Sequence, residues 1–370
     1  MNRSTNPLRA LHALGQRVWL DNLSRTLLRE GTLERLVRED GLAGVTSNPT
    51  IFYKAISGSA YYRDELAALR REGMLAPEAR YERLAIPDIQ AACDLLRPLH
   101  RATEGEDGYV SLEVSPALAN DTAQTVAAAR RLHALVAREN VLIKVPATPA
   151  GIAAIEELIG VGISINVTLM FSLAHVHAVA RAYLRGLERW IAGDGDARRI
   201  KSVASLFLSR VDTLVDQKLD TVSAPEELKG KTGVALAKLA YQEYRKIFKA
   251  QGPFTALAAR GGRPQFMLWA STGTKNPAYS DLLYVEPLIG PETINTLPDA
   301  TLNAFRDHGR AALTLESGIE DASRHFERLA RLGIDLNEVG ETLQVEGVKL
   351  FMQSFDELLG LLAAPASSAA

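Results

Sequence analysis

Eight short runs of strand-forming residues recur along the chain with helical stretches between them, and this alternation limits the fold more than any other feature. The runs lie at residues 18–21, 44–48, 109–114, 141–146, 163–170, 200–207, 265–271 and 293–298. Helical patterns fill residues 123–138, 172–191 and 233–250 between them. Strands alternating with helices over 370 residues predict parallel βαβ units. Eight such units close naturally into a (β/α)8 barrel. A doubly wound open sheet is the alternative. Two connections are long, 49–108 and 208–264, and the first carries helical patterns at 61–71 and 88–101. Neither reads as a structureless loop. Further helical patterns at 321–332 and 338–362 are expected to pack outside the barrel or over its mouth. The expected organisation is one barrel domain over residues 1–362 with these helical insertions, followed by a frayed low-complexity tail at 363–370.

Composition narrows the function classes. Forty-two basic against 44 acidic residues leave a formal charge of −2, without the basic excess of a nucleic-acid binder. No apolar run approaches the ~18 residues of a membrane span. The N-terminal segment lacks the apolar core of a signal peptide, so a cytoplasmic location is expected. The single cysteine, Cys93, has no internal disulfide partner and supplies no cysteine metal cluster.

Several strands carry polar groups where a buried strand should be apolar. In the third, YVSLEV, Val110, Leu112 and Val114 share one face while Ser111 and Glu113 share the other. If the apolar face meets the helices, Glu113 points into the barrel. The fourth, VLIKVP, places Leu142 and Lys144 inward by the same alternation, and the fifth, ISINVTLM, places Ser164, Asn166 and Thr168 inward. The first ends in Asp21 and the second in Thr46-Ser47-Asn48-Pro49. Singly, each has an ordinary explanation: Asp21 as a helix cap, Glu113 and Lys144 as a structural ion pair, Asn166 and Thr168 satisfying each other or a water. Together they gather at the C-terminal ends of five successive strands, the face on which barrel enzymes build active sites.

A lysine between Ile143 and Val145 is costly to bury unless paired or shifted in pKa. Once deprotonated, such an amine attacks a ketone or aldehyde to form a Schiff base, an electron sink for making and breaking C–C bonds. Asp21 and Glu113 are the candidate acids and bases. Neighbouring carboxylates raise a lysine pKa while burial lowers it, and the two effects oppose one another here.

The segments TSNP at 46–49, SLEV at 111–114, LIKVP at 142–146 and INVTLMFS at 165–172 resemble the transaldolase family in spacing and identity, and SLFLSR at 205–210 and WASTGTKN at 269–276 extend the match. The resemblance runs from about residue 18 to 298. It implies a (β/α)8 TIM barrel of the Schiff-base type, without metal or organic cofactor. The implied reaction transfers a dihydroxyacetone unit from sedoheptulose 7-phosphate to glyceraldehyde 3-phosphate in the pentose phosphate pathway. Carried over position by position, Lys144 forms the Schiff base and Asp21 is the base on the C4 hydroxyl. Glu113 and Thr168 hold the catalytic water. Asn48, Asn166 and Ser205 bind the dihydroxyacetone hydroxyls, and Arg210 and Ser271 the phosphate. The turn after the second strand reads SNP where many members have TNP. The ASTGTKN loop is longer than the ASFRN-like form, so that Lys275 stands for a phosphate-binding Arg. Related fructose-6-phosphate aldolases are shorter and carry Gln at the position of Glu113 and Tyr at that of Phe207, so these two residues favour transfer over release. The expected partners are sugar phosphates, with no nucleic acid and no membrane. Monomer and homodimer both stay open.

Rival signals are weak. Gly230-Lys231-Thr232 resembles the end of a P-loop, but Pro225 stands where the motif needs Gly. His175 and His177 lie two apart on a helical pattern and point in different directions. A sugar-phosphate-binding barrel without activity would be expected to lack Asp21, Glu113 or Lys144, and all three are present. A pyridoxal-phosphate enzyme also needs a lysine, and an absorbance scan for a bound chromophore separates it.

Overall fold

The computed structural model describes residues 6–72, 75–249 and 251–363. Eight parallel strands close in chain order: β1 (Gln16–Leu20), β2 (Gly44–Thr46), β3 (Tyr109–Glu113), β4 (Val141–Pro146), β5 (Ile165–Met170), β6 (Ser202–Phe207), β7 (Phe266–Ala270) and β8 (Thr293–Leu297). β8 returns to pair with β1 from Gln16 opposite Thr293 to Leu20 opposite Leu297, so the sheet has no free edge. That closure excludes the open-sheet alternative. One hydrophobic cluster runs through the described chain from Leu8 to Leu362.

Several boundaries differ from the sequence reading for local reasons. β2 ends at Thr46 because Asn48 turns to cap the helix Pro49–Gly58, its side-chain oxygen accepting from the Ile51 N–H at 3.0 Å. β5 and β6 start two residues later than their apolar runs suggest. The helical pattern at 88–101 is the second half of one helix, Pro77–Ala102, which accommodates Pro87 and Pro98 inside it. A proline reads as a break in sequence, but packing overrides the lost hydrogen bond. The pattern at 233–250 is realised as Thr232–Phe248. Of the expected tail, Ala363 ends the C-terminal helix and the remainder lies outside the described residues.

The register places the polar strand residues at one level. Glu113 on β3 is opposite Lys144 on β4, and Lys144 is opposite Asn166 on β5. The pairing of β5 with β6 is irregular between Val167 and Met170, and Leu169 takes a left-handed φ of 59°. A bulge of this kind bends a strand end and re-aims its side chains.

The C-terminal helix, Leu336–Ala363, crosses this end of the barrel. Gln344 donates from Nε2 to the carbonyls of Ala147 (2.8 Å) and Leu169 (3.1 Å), fixing the helix to the ends of β4 and β5. Glycine allows the close approach: a Cβ at Gly340 would lie 2.7 Å from Ser172 Cβ, and one at Gly347 2.9 Å from Leu169 Cδ2. Ser354 accepts from Thr50 at 2.9 Å, and Arg70 and Arg80 donate to the carbonyls of Leu361 and Leu362. The first insertion is tied to the β1 loop by a buried network: Arg25 Nε pairs with Asp88 Oδ1 at 2.9 Å, and the Tyr62 hydroxyl donates to Asp88 Oδ2 at 2.7 Å. At the opposite end of the barrel, fully buried Lys201 reaches Glu106 at 2.8 Å and lies 4.0 Å from the centre of the Phe266 ring.

Asp212, on the helix Ser209–Thr221, is buried and accepts from the Gly233 N–H (2.9 Å) and the Tyr284 hydroxyl (2.8 Å). Burial pushes its pKa up from 3.8 to about 6, against the pull of the Gly233 N–H and the Tyr284 hydroxyl. Between those two values the folded chain keeps a proton that the unfolded chain has released, so stability falls as pH rises through that window. That rise corresponds to about 3 kcal/mol. Asp212→Asn should flatten this part of the profile, read as a smaller loss of urea midpoint from pH 4 to pH 6.5 than in the wild type. Equal losses in both proteins would show that Asp212 does not carry the effect.

Candidate active site

The C-terminal ends of the strands open into a cavity of about 730 Å³. Of the residues singled out in the sequence, Asp21, Asn48, Lys144, Asn166, Thr168, Ser205, Phe207, Arg210, Ser271 and Lys275 all line it. Glu113 stands immediately behind Lys144.

Lys144 and Glu113 are both buried. The Lys144 ammonium lies 3.2 Å from Glu113 Oε2 and donates to the Ser47 carbonyl at 3.1 Å. Ser47 is held in turn by its own hydroxyl, which donates to the Ser111 carbonyl at 2.7 Å. The turn after β2 therefore supplies an acceptor that no side-chain pattern could announce. Burial raises the Glu113 pKa, and the nearby Lys144 charge works against that rise. Glu113 Oε2 faces Lys144 without an aligned hydrogen bond, and both it and Thr168 Oγ1 are buried atoms with no hydrogen-bond partner among the described residues.

Asn166 is fixed on both sides: its Nδ2 donates to Ser111 Oγ at 3.0 Å, and its Oδ1 accepts from Ser205 Oγ at 2.7 Å. Asn166 and Thr168 thus do not satisfy each other. Asn48 uses its oxygen for the helix cap and faces the cavity as well.

Asp21 follows β1 and accepts from Thr46 Oγ1 at 2.8 Å, while the Thr46 and Thr296 hydroxyls are 2.9 Å apart. Burial raises the Asp21 pKa, and the Lys144 charge and the Thr46 hydrogen bond oppose it. Its environment thus favours the proton-accepting role less at low pH than an ordinary aspartate would.

A cationic wall stands on the other side. Arg210 is the second residue of its helix, and Ser209 and Ser271 hydroxyls meet at 2.8 Å, joining that helix to the turn after β7. Ser271 holds a left-handed φ of 54°. Its carbonyl accepts from the Ser209 N–H at 3.1 Å. Burial lowers the Arg210 pKa. Lys275 reaches the cavity from an exposed loop.

The sequence reading placed Thr46 at the active-site face without giving it a role, and missed Thr296, Lys54, Asp299 and Phe351 as cavity residues. Thr296 is a strand-end hydroxyl of the same class as Thr46 and Thr168, a signal that was available. Phe351 lies in the C-terminal helix, far from any strand, and had none. The histidines do not form a site: His175 accepts from the Phe171 N–H and lies 3.0 Å from Glu341, while His177 lies 3.3 Å from Glu243. No cluster of three or more His, Cys, Asp or Glu residues fit for a metal ion occurs among the described residues. No helix among them is long and apolar enough to cross a membrane.

A buried amine beside a carboxyl, an aspartate across the cavity and a cationic wall form a site suited to carbonyl chemistry on an anionic substrate. Comparison with known proteins agrees with that geometry. Residues 18–362 match the family model described as "Transaldolase/Fructose-6-phosphate aldolase". The chain is 58% identical to a transaldolase of Thiobacillus denitrificans, covering 94% of this chain and 96% of that one. It is 50% identical to a transaldolase of Neisseria gonorrhoeae (95% and 97% covered) and 47% identical to one of Frankia alni (97% and 97%).

Thr46→Val keeps the side-chain volume and removes the hydrogen bond that favours ionised Asp21. The Asp21 titration midpoint, followed by carboxyl ¹³C NMR, should move further up. An unmoved midpoint would mean that the Thr46 hydroxyl does not stabilise the carboxylate.

Proposed function

The chain belongs to the transaldolase/fructose-6-phosphate aldolase family, and on that premise we propose how its residues divide the work of transaldolase chemistry. The enzyme is a Schiff-base transferase. It moves a dihydroxyacetone unit reversibly from sedoheptulose 7-phosphate to glyceraldehyde 3-phosphate, giving erythrose 4-phosphate and fructose 6-phosphate in the non-oxidative pentose phosphate pathway. The observation that carries the assignment of roles is the Lys144 amine, buried at the floor of the cavity beside Glu113 and the Ser47 carbonyl.

Lys144 Nζ attacks the donor's C2 carbonyl, and the carbinolamine loses water to become an iminium. Asp21 takes the proton from the C4 hydroxyl. The C3–C4 bond breaks, its electron pair enters the iminium as an enamine, and the aldehyde leaves. The enamine then attacks the acceptor aldehyde, Asp21 returns the proton, and hydrolysis frees Lys144. Glu113 and Thr168 hold the water that enters and leaves in these steps. Glu113 Oε2 and Thr168 Oγ1, which have no hydrogen-bond partner among the described residues, support this reading. Asn48, Asn166 and Ser205 bind the hydroxyls of the dihydroxyacetone unit. Arg210, Ser271 and Lys275 bind the phosphate, where the guanidinium fork suits phosphate oxygens. Phe207 closes the wall with an apolar ring, which supports transfer to a second aldehyde over release of dihydroxyacetone to water. We place the enzyme in the cytoplasm, with the barrel, its insertions and the C-terminal helices acting as one domain.

Borohydride reduction during incubation with fructose 6-phosphate should leave a dihydroxyacetone-derived adduct on the peptide carrying Lys144, found by mass spectrometry. Lys144→Ala should fold, form no adduct and lose at least about 10³-fold in turnover. Normal turnover by folded Lys144→Ala would end the Schiff-base assignment.

A further inference from the structure

Arg210 is held in an unusual way for a half-buried cation. Its guanidinium carbon lies 5.6 Å from the centre of the Phe207 ring and 5.9 Å from that of Phe351. No ion pair or hydrogen bond to its side chain occurs among the described residues, and the one charge that acts on it is that of Glu346. Phe207 is close in sequence and is itself backed by Phe171, ring centres 5.2 Å apart. Phe351 arrives from the far end of the chain on the C-terminal helix.

We propose that Phe351 is a positioning residue for phosphate recognition: its ring holds Arg210 against Phe207, aiming the guanidinium into the cavity with its N–H donors unspent. This rests on the reading of Arg210 as a phosphate ligand. A carboxylate partner would also fix Arg210, but it would occupy N–H groups and offset the charge that a phosphate needs. Aromatic faces attract the cation through the ring quadrupole and consume no donor.

The surroundings give Phe351 a second task. Behind it lies a recess of about 270 Å³ bordered by Thr50, Arg210, Ser354 and Glu357, and Phe351 lines both this recess and the main cavity. The ring thus separates the main cavity, which Arg210 lines, from a recess that Arg210 also borders, while the one carboxylate whose charge acts on Arg210, Glu346, makes no ion pair with it among the described residues. Its placement is firm because the helix is pinned on both sides of it, by Gln344 before and Ser354 after. The last helix thereby acts on a substrate group without touching the reacting carbons.

The test compares Phe351→Leu, which keeps apolar bulk and removes the ring, with Phe351→Tyr, which keeps the ring. Phe351→Leu should raise KM for fructose 6-phosphate on the order of tenfold, with kcat within about twofold. Borohydride trapping with unphosphorylated dihydroxyacetone should be unchanged, which also shows that the variant is folded around Lys144. Phe351→Tyr should restore KM. In an Arg210→Ala background, Phe351→Leu should add nothing. An Arg210→Ala variant with normal KM overturns the phosphate reading itself. A raised KM in Arg210→Ala together with a normal KM in Phe351→Leu overturns the clamp alone. So does a Phe351→Leu effect that persists without Arg210, or one that weakens dihydroxyacetone trapping equally.

Discussion

Taking the Lys144 ammonium out of water is the constraint on which the rest of the site depends. An isolated charge in such a place costs several kcal/mol, and attraction to a partner offsets that only when geometry is good. Here the offset comes from two directions: the Glu113 carboxyl at 3.2 Å and the Ser47 carbonyl at 3.1 Å. Neither is on Lys144's own strand. The arrangement therefore requires β3 and the turn after β2 to be in fixed register with β4, and parallel closure in chain order provides that. Burial meanwhile raises the Glu113 pKa, so the same pocket that hides the amine makes its neighbour readier to hold a proton. A carboxyl readier to hold a proton suits a reaction in which protons pass repeatedly between nitrogen, oxygen and water.

Around this pair the cavity is divided by kind of support. Asn166 is held through Ser111 and Ser205, as suits the hydroxyl recognition proposed for it. Asp21 is held by a hydroxyl chain, Thr46 and Thr296, that joins β1, β2 and β8. The anion side is built differently, from a helix start, a strained turn and two aromatic rings. In the proposed assignment, chemistry sits on strands and recognition of the remote group on helices and loops. That division lets the tail of the substrate be read without disturbing the reacting centre.

Much of this was legible in the sequence because a barrel strand has only two faces. Once the alternation of YVSLEV and VLIKVP is seen, Glu113 and Lys144 must share the interior, and closure brings them together. The strand-end residues followed the same logic. Arg210, Ser271 and Lys275 needed family resemblance, since nothing in their spacing announces a phosphate. What stayed hidden was contact between distant segments. Phe351 has no periodic signal that separates a cavity wall from ordinary helix packing. The Ser47 carbonyl is backbone and invisible to any reading of side chains. Pro87 disguised the length of Pro77–Ala102, where tertiary packing outweighs the local preference. The bulge in β5 likewise shows only as a register shift against β6.

Lys201 gives the buried amine of the site an internal counterpart. It too is out of water, and burial lowers its pKa against the pull of Glu106, but it lies at the closed end of the barrel under the Phe266 ring. The same scaffold thus hides two amines of one chemical type. One lines the main cavity and the other is sealed by packing. Concealment is therefore not what makes an amine a reagent in this fold: a route in for the electrophile is. A change at the sealed lysine bears on folding, whereas at the open one it bears also on what enters the cavity.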